Sequence, residues 1–469
     1  MENIKRSINL KVPAKASVWY IASGAIARGI GALSTPIFTR LLTPSEYGLY
    51  PLYNTWLGVL SVLVTLELTG SAIYRGFQKY SDNKEAFTSS ALGLIGAVFV
   101  GFCTLYFAFY SLLGRITGLS AGITIFMFAQ IFGTAVISLY LAKARYEYKY
   151  KAVAVLNIIT AILIPFSAVM LILLFNVKAE ARIYASSLIT LLIAIPLAVA
   201  IIRRSDKLYS GEIWRYLIRR SIPLLPHYFA TALILKAGEI SIGRAHGTVA
   251  LGQYSIATSV GMILTVVTVG LSSALSPWIT RKIRDGNIDK MRDFLFSLTK
   301  ALSLLSLGIL AIAPEILSFL AADGFREALP SVYPLEIGVI LSFLSGAVMS
   351  GCAYYEKGSL ASLPSIAAAL VSALLSLFVL PRVDYRFAGV FALASYLVLF
   401  ICTSLVFKRL SGEYPINLKR CFATLLLTVG YAMLLFIFRG VIISRIFLSL
   451  PLIPLLILSA RDILKMIRE

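Results

Sequence analysis

Charge is scarce in this chain of 469 residues: Asp, Glu, Lys and Arg together make up 14% of it, acidic side chains number 22, and there are two histidines and four cysteines. Soluble domains carry roughly 25% charged residues, so the composition excludes a water-facing globular enzyme. The same shortages narrow the chemistry. His227 and His246 stand far apart in sequence, and neither has a Cys, Asp or Glu at ligand spacing, which argues against a metal centre. Cys103, Cys352, Cys402 and Cys421 fall singly inside apolar runs and read as small packing residues rather than a disulfide or metal set. No glycine-rich phosphate loop of a nucleotide-binding kind occurs, so the chain is not expected to hydrolyse ATP. No cofactor or metal is expected.

What the chain has instead is apolar length. Hydrophobic residues make up 59% of it and the mean hydropathy is +0.86. A membrane-crossing helix needs about 20 mostly apolar residues, and such runs follow one another near 16–40, 48–73, 88–112, 119–141, 152–176, 182–202, 221–242, 251–277, 294–320, 331–352, 361–380, 387–407, 421–438 and 443–460. The expected fold class is therefore an all-α integral membrane protein of about fourteen spans. The connections are short and polar, and the longest, 203–220, reads as an amphipathic surface helix.

The net charge of +21 has no polar domain in which to meet nucleic acid, so nucleic acid is not an expected partner. It sits in alternate loops. With the N-terminus inside, thirty of the 43 Lys and Arg fall on the cytoplasmic side, including Lys143 and Lys357, and ten on the other side, including Arg445. That asymmetry predicts cytoplasmic N- and C-termini. Every outer loop is short, and the first, 43–47, carries one carboxylate, Glu46. A membrane-embedded glycosyltransferase or polymerase would need more acidic equipment there.

A weak repeat appears at an offset of 204 residues: Ser17-Val18 matches Ser221-Ile222, Gly48-Leu49-Tyr50 matches Gly252-Gln253-Tyr254, and the basic loop 75–84 falls opposite 281–290. Both copies start inside, which predicts a parallel repeat. The expected layout is a basic N-terminus at 1–15, a six-helix bundle at 16–202, a cytoplasmic linker at 203–220, a second six-helix bundle at 221–407, and two appended helices with a tail at 408–469.

Three cations fall inside predicted spans, at Arg28, Lys236 and Lys300. A mid-membrane charge costs about 2.5–3.5 kcal/mol even on insertion scales, so it normally faces a cavity or a partner. Around Arg28, helical spacing places Gly24, Gly31, Ala32 and Thr35, a stripe with room beside the guanidinium. Two readings stand: Arg28 lines a wet cleft, or it is locked to Glu67. Lys236 lies in the repeat counterpart of the first span, one helical turn from the matching register, and Glu239 three residues on either neutralises it or takes part in ion coupling. Lys300 either lines the cleft or snorkels to the surface. Glu315 and Glu336 are expected to be solvated near span ends, and Gln130 to hydrogen-bond between helices.

The stretch Thr39-Arg40-Leu41-Leu42-Thr43-Pro44-Ser45-Glu46-Tyr47-Gly48-Leu49-Tyr50, after a glycine-rich first helix and before a helix carrying Trp56, resembles the start of the polysaccharide-transport flippases. These handle repeat units of O-antigen, capsule and exopolysaccharide, within a superfamily that includes multidrug extruders. The resemblance implies a V-shaped pair of six-helix bundles with two further helices, in a prokaryotic cytoplasmic (inner) membrane. It implies a flippase that moves a polyprenyl-diphosphate-linked oligosaccharide outward by alternating access, and not an enzyme. It also implies that Arg28 and Lys236 meet the diphosphate; Lys300, where it lines the cleft, would add a third substrate-binding cation. Membrane lipid, and a polymerase and glycosyltransferases of the same pathway, are the implied partners. A cation-coupled multidrug exporter is the alternative, and a membrane glycosyltransferase or polymerase the lesser one.

Overall fold

A computed structural model of the protein describes residues 11–205, 207–355 and 358–468. Lys5 and Arg6 of the basic N-terminus, and Lys357, lie outside the described residues. The described chain is helical throughout, in the order α1 (Lys11–Leu41), α2 (Pro44–Thr65), α3 (Ser71–Lys79), α4 (Lys84–Ala108), α5 (Tyr110–Thr117), α6 (Ala121–Tyr146), α7 (Tyr150–Phe175), α8 (Ala181–Ile202), α9 (Gly211–Ser221), α10 (Leu225–Ala245), α11 (Gly247–Arg284), α12 (Ile288–Ala311), α13 (Ala313–Leu320), α14 (Leu329–Tyr354), α15 (Gly358–Leu374), α16 (Ala388–Ser411), α17 (Leu418–Ile437), α18 (Ile442–Ser449) and α19 (Leu452–Arg468).

Each expected span coincides with one of these helices or a consecutive pair. Eleven helices among the described residues are long and apolar enough to cross a membrane. The expected spans outside that group are α1, α2 and α10, where glycines, tyrosines, prolines and charges dilute the hydropathy. Polar side chains mark the ends. Asn83 accepts the Ala86 amide at the start of α4, Ser120 accepts that of Ile123 at α6, and Asn417 accepts that of Arg420 at α17, each satisfying an amide that has no partner inside its helix.

Several boundaries differ from the apolar runs. The second run was expected to continue to 73, but α2 stops at Thr65 and the chain passes through Leu66 and Glu67, both at φ 48°. The left-handed region costs L-residues roughly 1–2 kcal/mol each, so packing must hold this turn. The run at 294–320 divides into α12 and α13, and the last run divides into α18 and α19. Two cations assigned to loops are also moved. Lys143 is buried inside α6 with its Nζ 2.5 Å from Glu85. Arg445 is buried in α18, its guanidinium 2.7 Å and 2.5 Å from the two oxygens of Glu315 and 2.5 Å from the Ala311 carbonyl. By charge both read as loop residues, yet here each is buried and neutralised by a half-exposed carboxylate of another helix.

The chain forms two compact units, one of Met1–Leu42 with Tyr53–Phe229, the other of Thr43–Leu52 with Ala230–Glu469. In the first, Ile73, Phe77, Phe87, Leu94, Ile95 and Leu139 bury the junction of α3, α4 and α6. α9 lies over it with Ile213 and Leu217 inward, and Glu212, Arg215 and Arg219 outward. That is the amphipathic helix expected in 203–220. Gln130 accepts hydrogen bonds from Tyr53 (2.7 Å), Ser186 (2.9 Å) and Ser187 (3.2 Å), tying α2, α6 and α8.

In the second unit, the start of α2 crosses the start of α11 at the repeat-matched glycines. A methyl group on Gly48 would overlap the Thr248 carbonyl, and one on Gly252 would lie 2.9 Å from the Pro44 carbonyl and 3.2 Å from the Gly48 Cα. Position 248 is 44 plus the repeat offset, and 252 is 48 plus it, so the two contacts exchange partners. Small residues allow such backbone approach.

Candidate functional site

In the first unit the candidate residues are Arg28 and Glu67. Arg28 sits in the middle of α1 and is exposed, with no ion pair among the described residues. Of its predicted stripe, Gly31 and Ala32 are exposed and Gly24 half-buried, while methyl groups built at Gly24, Gly29 or Gly31 would meet nothing within 4 Å. Thr35 departs from the stripe: it is buried, and its hydroxyl donates to the Gly31 carbonyl at 3.4 Å. The face carrying Arg28 is therefore open. The structure does not join Arg28 to Glu67. Glu67 is half-buried in the left-handed turn after α2, where its chain doubles back so that the Gly70 amide donates to its carbonyl at 3.0 Å.

In the second unit Lys236 and Glu239, on α10, form an ion pair of 2.8 Å, with side chains 27% and 14% exposed. Spacing of three residues puts both on one helical face. Tyr254 of α11 and Tyr396 of α16 lie within electrostatic reach of Glu239. α10 packs through Ala230 and Ile234 on Ala368 and Ala369 of α15. Lys300 is twelve residues into α12, half-buried, with its ammonium 5.0 Å from the centre of the Phe296 ring. That is a cation–π contact rather than an ion pair. The same unit holds an apolar cavity of about 640 Å³ lined by Tyr333, Pro334, Ile337, Leu393, Met433 and Phe436.

Two expectations about acidic residues separate here. Glu315 is half-exposed and bound by Arg445; the Arg445 hydrogen bonds hold its carboxyl below the usual carboxylate range, against a smaller opposing push from burial. Glu336, expected in water, has no exposed surface, and neither of its carboxyl oxygens has a hydrogen-bond partner among the described residues. Nearness to a span end misled the sequence argument, because the 3-10 turn Asp323–Ala328 and neighbouring helices cover that end of α14. The Arg445–Glu315 and Lys143–Glu85 pairs were not expected from the sequence. Their signal was available in principle: a lone carboxylate inside or beside an apolar run calls for a cation.

The family model described as "Polysaccharide biosynthesis protein" matches residues 14–282. No curated protein sequence matches the chain. Among solved structures, the lipid II flippase MurJ in an inward closed conformation aligns with a TM-score of 0.70 at 12% identity, over 96% of this chain and 100% of that one. An outward-facing multidrug resistance MATE family transporter of the MOP superfamily aligns with a TM-score of 0.57 at 13% identity, over 86% and 97%. A MOP superfamily transporter from Pyrococcus furiosus aligns with a TM-score of 0.57 at 14% identity, over 85% and 96%. At such identities the likeness is one of fold: an all-helical membrane protein built like MurJ and the MATE transporters. The family match spans more than half of the sequence, and the chain belongs to the polysaccharide biosynthesis protein family.

Proposed function

We propose that this protein is a flippase that carries a polyprenyl-diphosphate-linked oligosaccharide from the cytoplasmic to the outer leaflet of a prokaryotic inner membrane by alternating access. Its termini lie in the cytoplasm, and its bundles are 16–202 and 221–407. The observation that carries the reading is Arg28: an arginine in the middle of a membrane-length helix, on an open face of small residues, with no ion pair among the described residues. A guanidinium is a planar fork that grips two phosphate oxygens at once. Lys236 adds a compact charge from the repeat-matched helix, with Glu239 balancing it between cargoes, and Lys300 a third cation. The apolar cavity beside Tyr333 and Phe436 suits part of an isoprenoid chain. Moving two negative charges outward across an inside-negative membrane is favoured by about 2.3 kcal/mol per charge per 100 mV, enough to drive release. The chain itself performs no bond chemistry in this reading; glycosyltransferases load the lipid and a polymerase consumes it.

The MATE-like fold favours a second reading, a cation-coupled multidrug exporter. A cationic drug would need net acidic charge on the open faces, whereas Arg28 and Lys300 are cationic and Glu239 is already bound to Lys236. The test is Arg28→Ala, scored by glycan export and by protein level in the membrane. Export should fall with protein level unchanged, because an exposed side chain contributes little packing, and Arg28→Lys should keep partial export. Unchanged export in Arg28→Ala would remove the cation site from the mechanism.

A further inference from the structure

Glu336 is the buried acid that nothing above uses. It lies seven residues into α14, which a rise of 1.5 Å per residue puts about 10 Å from the Leu329 end of the helix. Loop charge assigns that end to the outside. The side chain has no exposed surface, and Val332, Tyr333, Ile337 and Ile340 around it on the helix are buried too. Gly338, two residues on and on the opposite face, meets Tyr396 of α16, so Glu336 points to the side of α14 away from that contact.

The ionisable groups on the elements packed against α14 are occupied or placed elsewhere. On α11, Tyr254 is buried, and Arg281, Lys282 and Arg284 stand at the far end. On α12, Lys300 rests on Phe296, Arg292 binds Asp289 and Glu413, and Lys290 and Asp293 belong to the first turns. Glu315 of α13 binds Arg445. In the turns Asp323–Ala328 and Tyr385–Phe387, Arg386 binds Glu327 and Asp384, and the Tyr385 hydroxyl binds Gln253; Arg326 stands in the first of these turns. On α16, Tyr396 meets Gly338, Cys402 is half-buried, and Lys408 and Arg409 close the last turn. On α17, Lys419, Arg420 and Cys421 stand at the start and Tyr431 binds the Leu448 carbonyl. None of these is within hydrogen-bond distance of Glu336. The Tyr333 hydroxyl one turn back, and Ser303 and Ser306 on the neighbouring α12, are likewise buried without a hydrogen-bond partner.

A carboxylate anion without a donor in such a place is strongly disfavoured, and the group relieves that cost by taking a proton. Hard metal cations need a shell of oxygen ligands, and no cluster of three His, Cys, Asp or Glu exists among the described residues. We propose that Glu336 is a proton-binding site of the second unit. In the packed arrangement described here it is a neutral carboxylic acid. When α14 opens to water, the acid releases H⁺ and leaves a hydrated carboxylate; on repacking the carboxylate takes one H⁺ back. The proton and the packing of α14 thereby stabilise each other, so acid on the side to which α14 opens favours the packed arrangement.

What the proton drives rests on the flippase reading, whereas the protonation itself can be read on purified protein without substrate. The experiment is infrared difference spectroscopy of the full chain in proteoliposomes, wild type against Glu336→Gln, with export of lipid-linked oligosaccharide measured under an imposed pH gradient. The expected result is a carboxylic-acid carbonyl band that survives at pH values where surface carboxylates are ionised and is lost in Glu336→Gln, together with loss of gradient dependence in that variant. Glu336→Asp should keep a shifted band, which gives a readout if the glutamine variant does not assemble. Absence of a band sensitive to position 336, or full gradient dependence in Glu336→Gln, would overturn the proposal. A wild-type protein that shows the band but moves no oligosaccharide would refute the flippase reading and support the proton site.

Discussion

Gly48→Ala asks whether the reciprocal crossing of α2 and α11 is a tight structural joint. Replacing a glycine inside a helix by alanine ordinarily stabilises it by about 1 kcal/mol, so absent any contact this variant should be the more stable protein. At Gly48 the added methyl overlaps the Thr248 carbonyl. That obstacle is backbone in the first turn of α11, and it cannot rotate away as a flexible side chain would. Overpacking of this kind costs typically 1–3 kcal/mol, and because the obstruction is backbone the upper part of that range applies. The net expectation is destabilisation of about 1–2 kcal/mol. Gly252→Ala, whose methyl would sit 2.9 Å from the Pro44 carbonyl, needs a smaller shift and should fall between Gly48→Ala and wild type. Gly29→Ala, with nothing within 4 Å, is the control and should melt at or slightly above wild type. Thermal unfolding of the four purified proteins in one detergent orders them. A Gly48→Ala protein that melts with Gly29→Ala, or above wild type, would refute the close crossing.

Other outcomes follow from the buried polar groups. Gln130→Leu removes the common acceptor of Tyr53, Ser186 and Ser187; Tyr53 also reaches Ser187, and Ser186 reaches the Ile183 carbonyl, so the loss should stay near 1–3 kcal/mol, read as a lower melting temperature. The Arg445–Glu315 pair is asymmetric, its side chains being 6% and 46% exposed, so Glu315→Ala, which strands a buried guanidinium, should destabilise more than Arg445→Met, which frees a carboxylate already near water. Because Glu315 is held below the ordinary carboxylate range when folded, its contribution is present above the unfolded value of about 4.3 and is lost as pH falls through the lower folded one. Melting followed from pH 6 down to pH 3 should show that loss in wild type and a shallower one in Glu315→Gln.

How much of this was legible depends on whether a property belongs to a segment or to an encounter. Spans were legible because twenty consecutive apolar residues carry their own reason to be helical and membrane-embedded, and α4, α6, α7 and α8 stand where hydropathy put them. The Gly-x-Tyr match was legible as a pattern, and the close crossing of α2 and α11 gives a reason for glycine at positions 48 and 252. Charges were legible only as problems: Arg28, Lys236, Glu239, Lys143 and Arg445 each stand out in apolar surroundings, but their resolution depends on which helix lies opposite. Where the partner was three residues along the same helix, as for Lys236 and Glu239, spacing found it. Where it came from a distant segment, as Glu315 does for Arg445 and Glu85 for Lys143, the loop rule absorbed the cation and concealed the pair. Glu336 is the complementary failure. Counting residues from a span end measures depth along one helix, whereas desolvation is set by what covers it, and a covered carboxylate with no cation opposite is the arrangement that a fixed ion pair would have prevented from titrating. An acid left that way can exchange its charge for a proton, whereas Glu239 already faces a cation at 2.8 Å; coupling to protons is therefore sought on α14.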